Sequence, residues 1–254
     1  MAKRKITQMK HLLVFTLSLV SLNIYAHSPI SDCPHLKQGK PKVSDFVTCR
    51  EGYAIGYSYA LKSADWVVYR LEKEDGVVVD RQNDFRPDED MPVVYQTTPA
   101  DYDEPVYDMG HLANSESLDG TITENSETFL MSNMTPQLPG FNRAIWKGLE
   151  NRERKWANKM GVVFVFMGPL YDNSPSVIGN NVLIPSAFWK IIYDPSMDDA
   201  IAFLIPHEKL RTSKLSEYLV SVDEIEDASG LDFFKMFDDA HQNELESQVQ
   251  PRQW

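Results

Sequence analysis

The chain reads as a single α+β domain, and three observations lead there. Dense runs of β-branched and aromatic residues recur at 65–72, 162–167, 182–193 and 200–205, each of strand length. Between the first and second runs lies one stretch, 142–160, whose Ile145, Trp146, Leu149, Trp156 and Met160 share a helix face. No internal repeat and no linker-like stretch divides the chain.

Composition narrows the class. The 254 residues are 43% hydrophobic and 24% charged, enough for one substantial core. Twelve Gly and fifteen Pro are ordinary and exclude collagen-like and low-complexity chains. With 25 Lys and Arg against 37 Asp and Glu, the net charge of −12 argues against a generic basic nucleic-acid coat. A local basic site stays open. Two cysteines are too few for a disulfide-dense scaffold or a Cys-only zinc site.

Residues 1–26 read as a secretory signal. Lys3, Arg4, Lys5 and Lys10 supply the positive start, residues 12–20 the short apolar run, and Ala26 the small residue before cleavage. The run is too short for a clear membrane span, although an uncleaved anchor is the alternative. Cleavage leaves 21 basic against 37 acidic residues. Export, to the periplasm or beyond, changes the meaning of Cys33 and Cys49. In an oxidising compartment they are expected to form one bridge, with two free thiols as the alternative.

The elements follow in order. Residues 27–52, with Pro29, Pro34, Gly39 and Pro41, read as an irregular lead-in. A strand follows at 65–72, and the three valines of 76–80 extend the β character. Residues 80–107 carry Pro87, Pro92, Pro99 and Pro105 and read as a long functional loop. A short strand at 129–134 precedes a turn at Pro136, Pro139 and Gly140. The helix 142–160 then stops at Gly161, and strands follow at 162–167, 182–193 and 200–205. Past Lys214 the pattern turns helical: Ser221 and Glu224 form a capping-box signature and Gly230 a stop. Residues 240–254 read as a polar, disordered tail.

Charge is uneven. From Asp194 onward there are 14 acidic and 5 basic residues. Across 142–155 there are five basic residues, Arg143, Lys147, Arg152, Arg154 and Lys155, against Glu150 and Glu153. A solvated, salt-bridged helix face would explain that excess without function.

The chemistry-bearing residues cluster around that helix. Asp108, Met109, Gly110 and His111 come first; Gly110 permits close backbone approach beside the histidine. Ser132, Asn133, Pro136 and Gln137 follow, then Asn142, Glu150 and Arg154. Glu150 and Arg154 sit one helical turn apart, which by itself means an ordinary ion pair. Asn142 lies eight residues before Glu150, an offset of about 80° at ~100° per residue, so both can border one cleft. The bland readings are a solvated acidic loop for Asp88, Glu89 and Asp90, a structural His207, and core positions for the tryptophans.

This series resembles the DNA/RNA non-specific endonuclease family, the ββα-metal nucleases. The family's DRGH motif is matched by Asp108-Met109-Gly110-His111, its SN-x-x-PQ segment by Ser132, Asn133, Pro136 and Gln137, and its N-x-x-x-W-x-x-L-E helix by Asn142, Trp146, Leu149 and Glu150, with Arg154 one turn on. Asp80-Arg81, Phe85-Arg86, Gly168-Pro169-Leu170-Tyr171, Ile184-Pro185-Ser186 and residues 222–226 add further matches. The one departure is Met109 in the place of Arg, which supplies neither charge nor fork.

The resemblance implies a ββα-metal fold, a central antiparallel sheet flanked by helices, over an endonuclease domain at 53–239. It implies hydrolysis of DNA and RNA phosphodiesters to 5′-phosphate ends. His111 would be the general base. Asn142 would be the one direct protein ligand to Mg²⁺, with Mn²⁺ as a substitute. Glu150 would orient a water on the metal, and Arg154 would neutralise transition-state charge. Asn133 would support His111 or the phosphate, and Arg81 or Arg86 would contact the substrate backbone. The competing expectations are a noncatalytic nucleic-acid-binding relative, favoured by Met109, and a phosphodiesterase for another extracellular diester. An inhibitor protein and a homodimer are left undecided by the residues.

Overall fold

The computed structural model describes residues 30–73, 76, 78–103 and 106–250. The expected signal, 1–26, lies outside them. Eleven strands are present among these residues. Seven form one sheet in the order β1-β2-β3-β6-β9-β10-β11: Phe46–Cys49, Ala54–Ser58, Ser63–Glu72, Val162–Leu170, Ala187–Asp194, Asp199–Pro206 and Leu219–Val220. Every pairing in it is antiparallel. The four central strands are the β-branched and aromatic runs of the sequence, and they are buried on both faces.

Strand alternation divides the core in two. Val67, Tyr69, Val165, Met167, Phe188 and Ile192 face one way, against Trp146 and against Leu149 and Trp156 of the long helix α3, Lys147–Met160. Trp66, Val68, Phe166, Trp189 and Ile191 face the other way. There they meet helix α4, Val222–Ser229, the aromatic pair Phe233 and Phe234, and helix α5, Asp239–Glu246. The sheet is therefore flanked by helices on both sides, the α+β arrangement expected.

The catalytic-motif segments sit outside this sheet. Strands β4, Asp108–His111, and β5, Met134–Gln137, form a separate antiparallel ribbon with Asp108 opposite Gln137 and His111 opposite Met134. The short helix α1, Ile122–Glu127, lies in the connection between them. The chain leaves β5, makes a single turn α2, Pro139–Phe141, then a wide π-helical turn, Asn142–Trp146, and runs straight into α3. Strand, strand and helix are thus one continuous unit docked on the sheet. A second ribbon, β7 and β8, Val177–Ile178 and Val182–Leu183, covers a small apolar cluster with Tyr102, Met131 and Met134.

Several expectations change. The strand placed at 129–134 is a tight turn, Met131–Asn133, and the strand begins at Met134. Pro136, assigned to a turn, lies inside β5, because a two-stranded ribbon has outer edges where a strand proline is tolerated. The described residues of 76–80 are not in a strand; Val79 donates its amide to the Asp119 carbonyl at 2.9 Å, in a loop. The run 182–193 is broken at Pro185, which separates β8 from β9. The lead-in supplies the edge strand β1, and the Cys33–Cys49 disulfide ties it to the preceding turn. The tail is helical at first: Asp238 caps α5, and Leu245 is buried against the second core. The Ser221–Glu224 capping box and a left-handed Gly230 close α4 as expected.

Candidate active site

Gly110 explains the geometry of the ribbon. A Cβ there would lie 2.2 Å from the Gln137 side chain, so only glycine lets that buried amide cross beneath β4. The next residue, His111, ends β4 with its ring edge-on to Phe85 and Phe129, at 5.8 and 5.0 Å between centroids. Its Nε2 is buried and has no hydrogen-bond partner among the described residues. Burial, then the charge of Arg81, pushes its pKa down to about 3.

His111 lines a cleft of about 440 Å³ together with Asn142, Glu150, Arg81, Asp108 and Met109. Asn142 comes from the π turn, a distortion that recurs at functional positions. Its Nδ2 donates to Asp108 at 2.9 Å, which fixes the amide and leaves its oxygen as the acceptor end. Arg143 closes on the same carboxylate with two hydrogen bonds, 2.9 and 2.5 Å. Asp108 therefore orients the start of the helix.

Glu150 is 5% exposed. Burial raises its pKa to about 7, with Glu153 adding to the rise and Lys190, Asn114 and Arg154 opposing it. Asn114 accepts the Glu116 amide at 2.6 Å through Oδ1, so its amide nitrogen serves Glu150. Behind Glu150, the fully buried Glu153 accepts from Lys190 at 2.7 Å, from Tyr69 at 2.5 Å and from Ser117 at 3.1 Å. Ser117 in turn receives Arg154 at 3.2 Å. Arg154 also holds Glu116 at 3.0 Å and Asn151 at 2.5 Å, so it is no simple partner of Glu150. Glu116 lines the cleft, and Arg154 reaches it through that carboxylate.

Asn133, expected to support His111 or the phosphate, lies behind the cleft. It is fully buried; its amide accepts from the Ala113 N–H at 2.8 Å and donates to the Ala113 and Thr128 carbonyls at 2.9 and 2.8 Å. Two of those bonds hold the backbone just after His111 and the third ties it to Thr128, and Asn133 is not part of the cleft wall. The two arginines separate as well. Arg81 stands in the cleft, bonded to Ser115 and Asn83 and lying 4.7 Å over the Phe129 ring. Arg86 faces a different depression and is held by Asp84 at 2.7 Å and the Ser126 carbonyl at 2.9 Å.

Asp88 is not solvated. It is 1% exposed and takes a two-pronged bond from Arg50, at 2.6 and 2.8 Å, plus the Ser132 hydroxyl at 2.6 Å. His207 is structural: it accepts the Leu138 N–H at 2.7 Å, so its other nitrogen donates to Pro185 O at 2.8 Å, stapling β10 to the start of α2. Trp66, Trp146, Trp156 and Trp189 are core residues. Asn114 and the Glu153–Lys190 pair were not legible as site residues, since none stands in a spacing that marks a shared cleft.

Met109 packs beside the third apolar cluster with Phe85 and Tyr107. It is thus accommodated as an apolar wall of the cleft.

A two-stranded ribbon delivering His, followed by a helix delivering Asn and Glu into one cleft, defines the ββα-metal nuclease class. The chain belongs to the DNA/RNA non-specific endonuclease family, whose model matches residues 34–240. It is 33% identical over 222 residues to Nuclease C1 of Cunninghamella echinulata var. echinulata, covering 80% of this chain and 88% of that one. It is 31% identical to mitochondrial Endonuclease G of Caenorhabditis elegans, covering 88% and 79%. Against the Nuclease of Serratia marcescens it is 30% identical, covering 78% of each. A chain of the EndoG/EndoGI complex, whose crystal structure addresses the mechanism of EndoG inhibition, superposes with a TM-score of 0.75 at 27% identity, covering 84% of this chain and 95% of that one.

Proposed function

We propose that the protein is an exported, Mg²⁺-dependent endonuclease that hydrolyses phosphodiesters of both DNA and RNA and leaves 5′-phosphate ends. One observation carries this reading: a buried, unpartnered imidazole nitrogen on His111 shares a cleft with Asn142 and Glu150.

His111 is the general base. Its depressed pKa keeps the ring neutral across ordinary pH, which is the form a general base needs. An anionic phosphate bound beside Arg81 offsets the repulsion from that cation and favours the protonated ring. Arg81 binds the substrate backbone, and Arg86, turned away, does not. Arg154, anchored by Ser117 and Glu116, places positive charge toward the scissile group as its own negative charge grows. Asn133 keeps His111 in place through the Ala113 backbone.

The donors fit a hard cation. The Asn142 oxygen is left over once its nitrogen is tied to Asp108, and Glu150 adds a carboxylate beside it with a proton affinity near neutrality. Asn142 would hold Mg²⁺, or Mn²⁺ in its place, and Glu150 would accept from its water shell. When bound, the ion supplies Lewis acidity toward the phosphate and makes its water a better acid for the leaving oxygen.

Export rests on the 1–26 pattern and the Cys33–Cys49 bridge, which persists in oxidising compartments. The test is cleavage of end-labelled DNA and RNA of matched sequence, with product ends read by phosphatase sensitivity. Cutting of both sugars to 5′-phosphates is expected. Cutting of only a small diester would favour the other phosphodiesterase, and binding with no cutting the noncatalytic relative.

A further inference from the structure

Helix α3 carries two acids in its basic stretch, and the structure turns both inward. Glu150 is 5% and Glu153 0% exposed. The outward face of 142–155 therefore keeps only the cations. It borders a second groove of about 360 Å³, whose wall includes Arg143, Lys147, Asn151, Arg152, Lys155 and Thr212. No acidic side chain lines this groove among the described residues. Thr212 bonds the Ala144 carbonyl at 2.9 Å and fixes the far wall. Arg143 and Lys147 also line the cleft that holds His111, so the two depressions share a wall. Neither Arg152 nor Lys155 has an ion pair among the described residues, in a chain with 37 acidic residues.

We infer that this groove is a track for the phosphate backbone of the nucleic-acid strand that extends beyond the cleaved bond. The inference rests on the nuclease reading above and gives its substrate a path. The cations at 143, 147 and 155, with Asn151 between, follow an i, i+4 row along the helix. At ~1.5 Å per residue the row is ~18 Å long. A duplex advances ~3.4 Å per nucleotide on each strand, so the row matches about five nucleotides. Arg143 and Lys147 are tied to Asp108 and Glu116 on the cleft side, whereas Arg152 and Lys155 have no ion pair among the described residues. A regular row of cations beside a phosphate cleft suits a polyphosphate chain better than an acidic protein, whose charges follow no such period. An acidic protein overall needs such a confined track to hold a polyanion.

The test is binding of a fluorescent 20-base-pair duplex by the full mature chain carrying His111→Ala, with and without Arg152→Gln and Lys155→Gln, across a salt series. Lys37→Gln with Lys40→Gln, beyond the opposite sheet face, is the charge-matched control. The track predicts that the log affinity against log salt slope becomes shallower by about 1.8 in the double variant, at ~0.9 per lost phosphate contact. It predicts no change in slope for the control. In the protein with His111 intact, the loss falls on KM rather than kcat. An unchanged slope in the double variant overturns the track and assigns the groove to another acidic partner. A protein that binds with the predicted slopes but cuts nothing overturns the nuclease reading alone.

Discussion

His111 and Gly110 act together at the smallest scale. Gly110 makes room for Gln137, and the ribbon so packed carries the imidazole into an enclosure of Phe85 and Phe129. The sequence marked His111 through its motif but not its protonation, because burial and the neighbouring Arg81 charge come from residues distant in the chain. With the pKa pushed down to about 3, the folded protein resists protonation there. Its contribution to stability is present above the ordinary histidine range and is lost as pH falls through that range toward 3. The check is an NMR titration of the His111 C2 proton in the folded, metal-free chain. It is expected to hold its neutral shift down to about pH 4. A midpoint near 6.5 would mean the ring is solvated. Asn142 and Glu150 were legible through their motif and their spacing along one helical stretch. Asn114 was not, since one amide in Leu112-Ala113-Asn114-Ser115 has no period to place it.

At the level of elements, the helix 142–160 and the β-branched runs were legible because burial imposes their periods. The ribbon β4-β5 was not. Its strands are short and carry Gly110 and Pro136, both poor strand formers. Helix α5 was missed because only Leu245 and Glu246 among its residues are buried, which leaves a mostly polar pattern. Glu246 on α5 faces Asp223 and Glu226 of α4, with carboxylate oxygens within 4.8 Å of one another. Burial, then Glu226, Asp223 and Asp232, raises its pKa to about 8. A carboxyl with a raised folded pKa binds its proton more tightly in the fold. Stability is then complete below the ordinary carboxyl range and declines as pH rises toward 8. Glu246→Gln should therefore raise the Tm at pH 8 and leave it unchanged at pH 4, as read by calorimetry in chelator. Equal Tm values at pH 8 would show that the three carboxylates are already relaxed by solvent.

Over the whole molecule, one sheet serves two cores. One face carries α3, and the other is closed by α4, α5 and the edge held by Cys33–Cys49. The bridge spans 16 residues, and loop closure of that length stabilises by roughly 3 kcal/mol. Reduction is expected to lower the Tm by several degrees, on the order of 2 °C or more per kcal/mol for a chain of this size. An unchanged Tm after full reduction would make the edge strand independent of its tie. The acidic balance of the chain is compatible with nucleic acid as substrate because five of its cations are gathered on the helical stretch beside the cleft.

The central claim is that the Asp108-Met109-Gly110-His111 ribbon and the Asn142–Glu150 helix form a working metal-dependent nuclease despite Met109. Nicking of supercoiled plasmid by the mature chain measures it most directly, run with Mg²⁺, with chelator, and with His111→Ala beside the unaltered protein. The account predicts Mg²⁺-dependent nicking that chelator stops and that His111→Ala lowers by roughly 10²-fold or more. Folded protein that leaves plasmid intact in Mg²⁺, or that cuts equally well without His111, would contradict it.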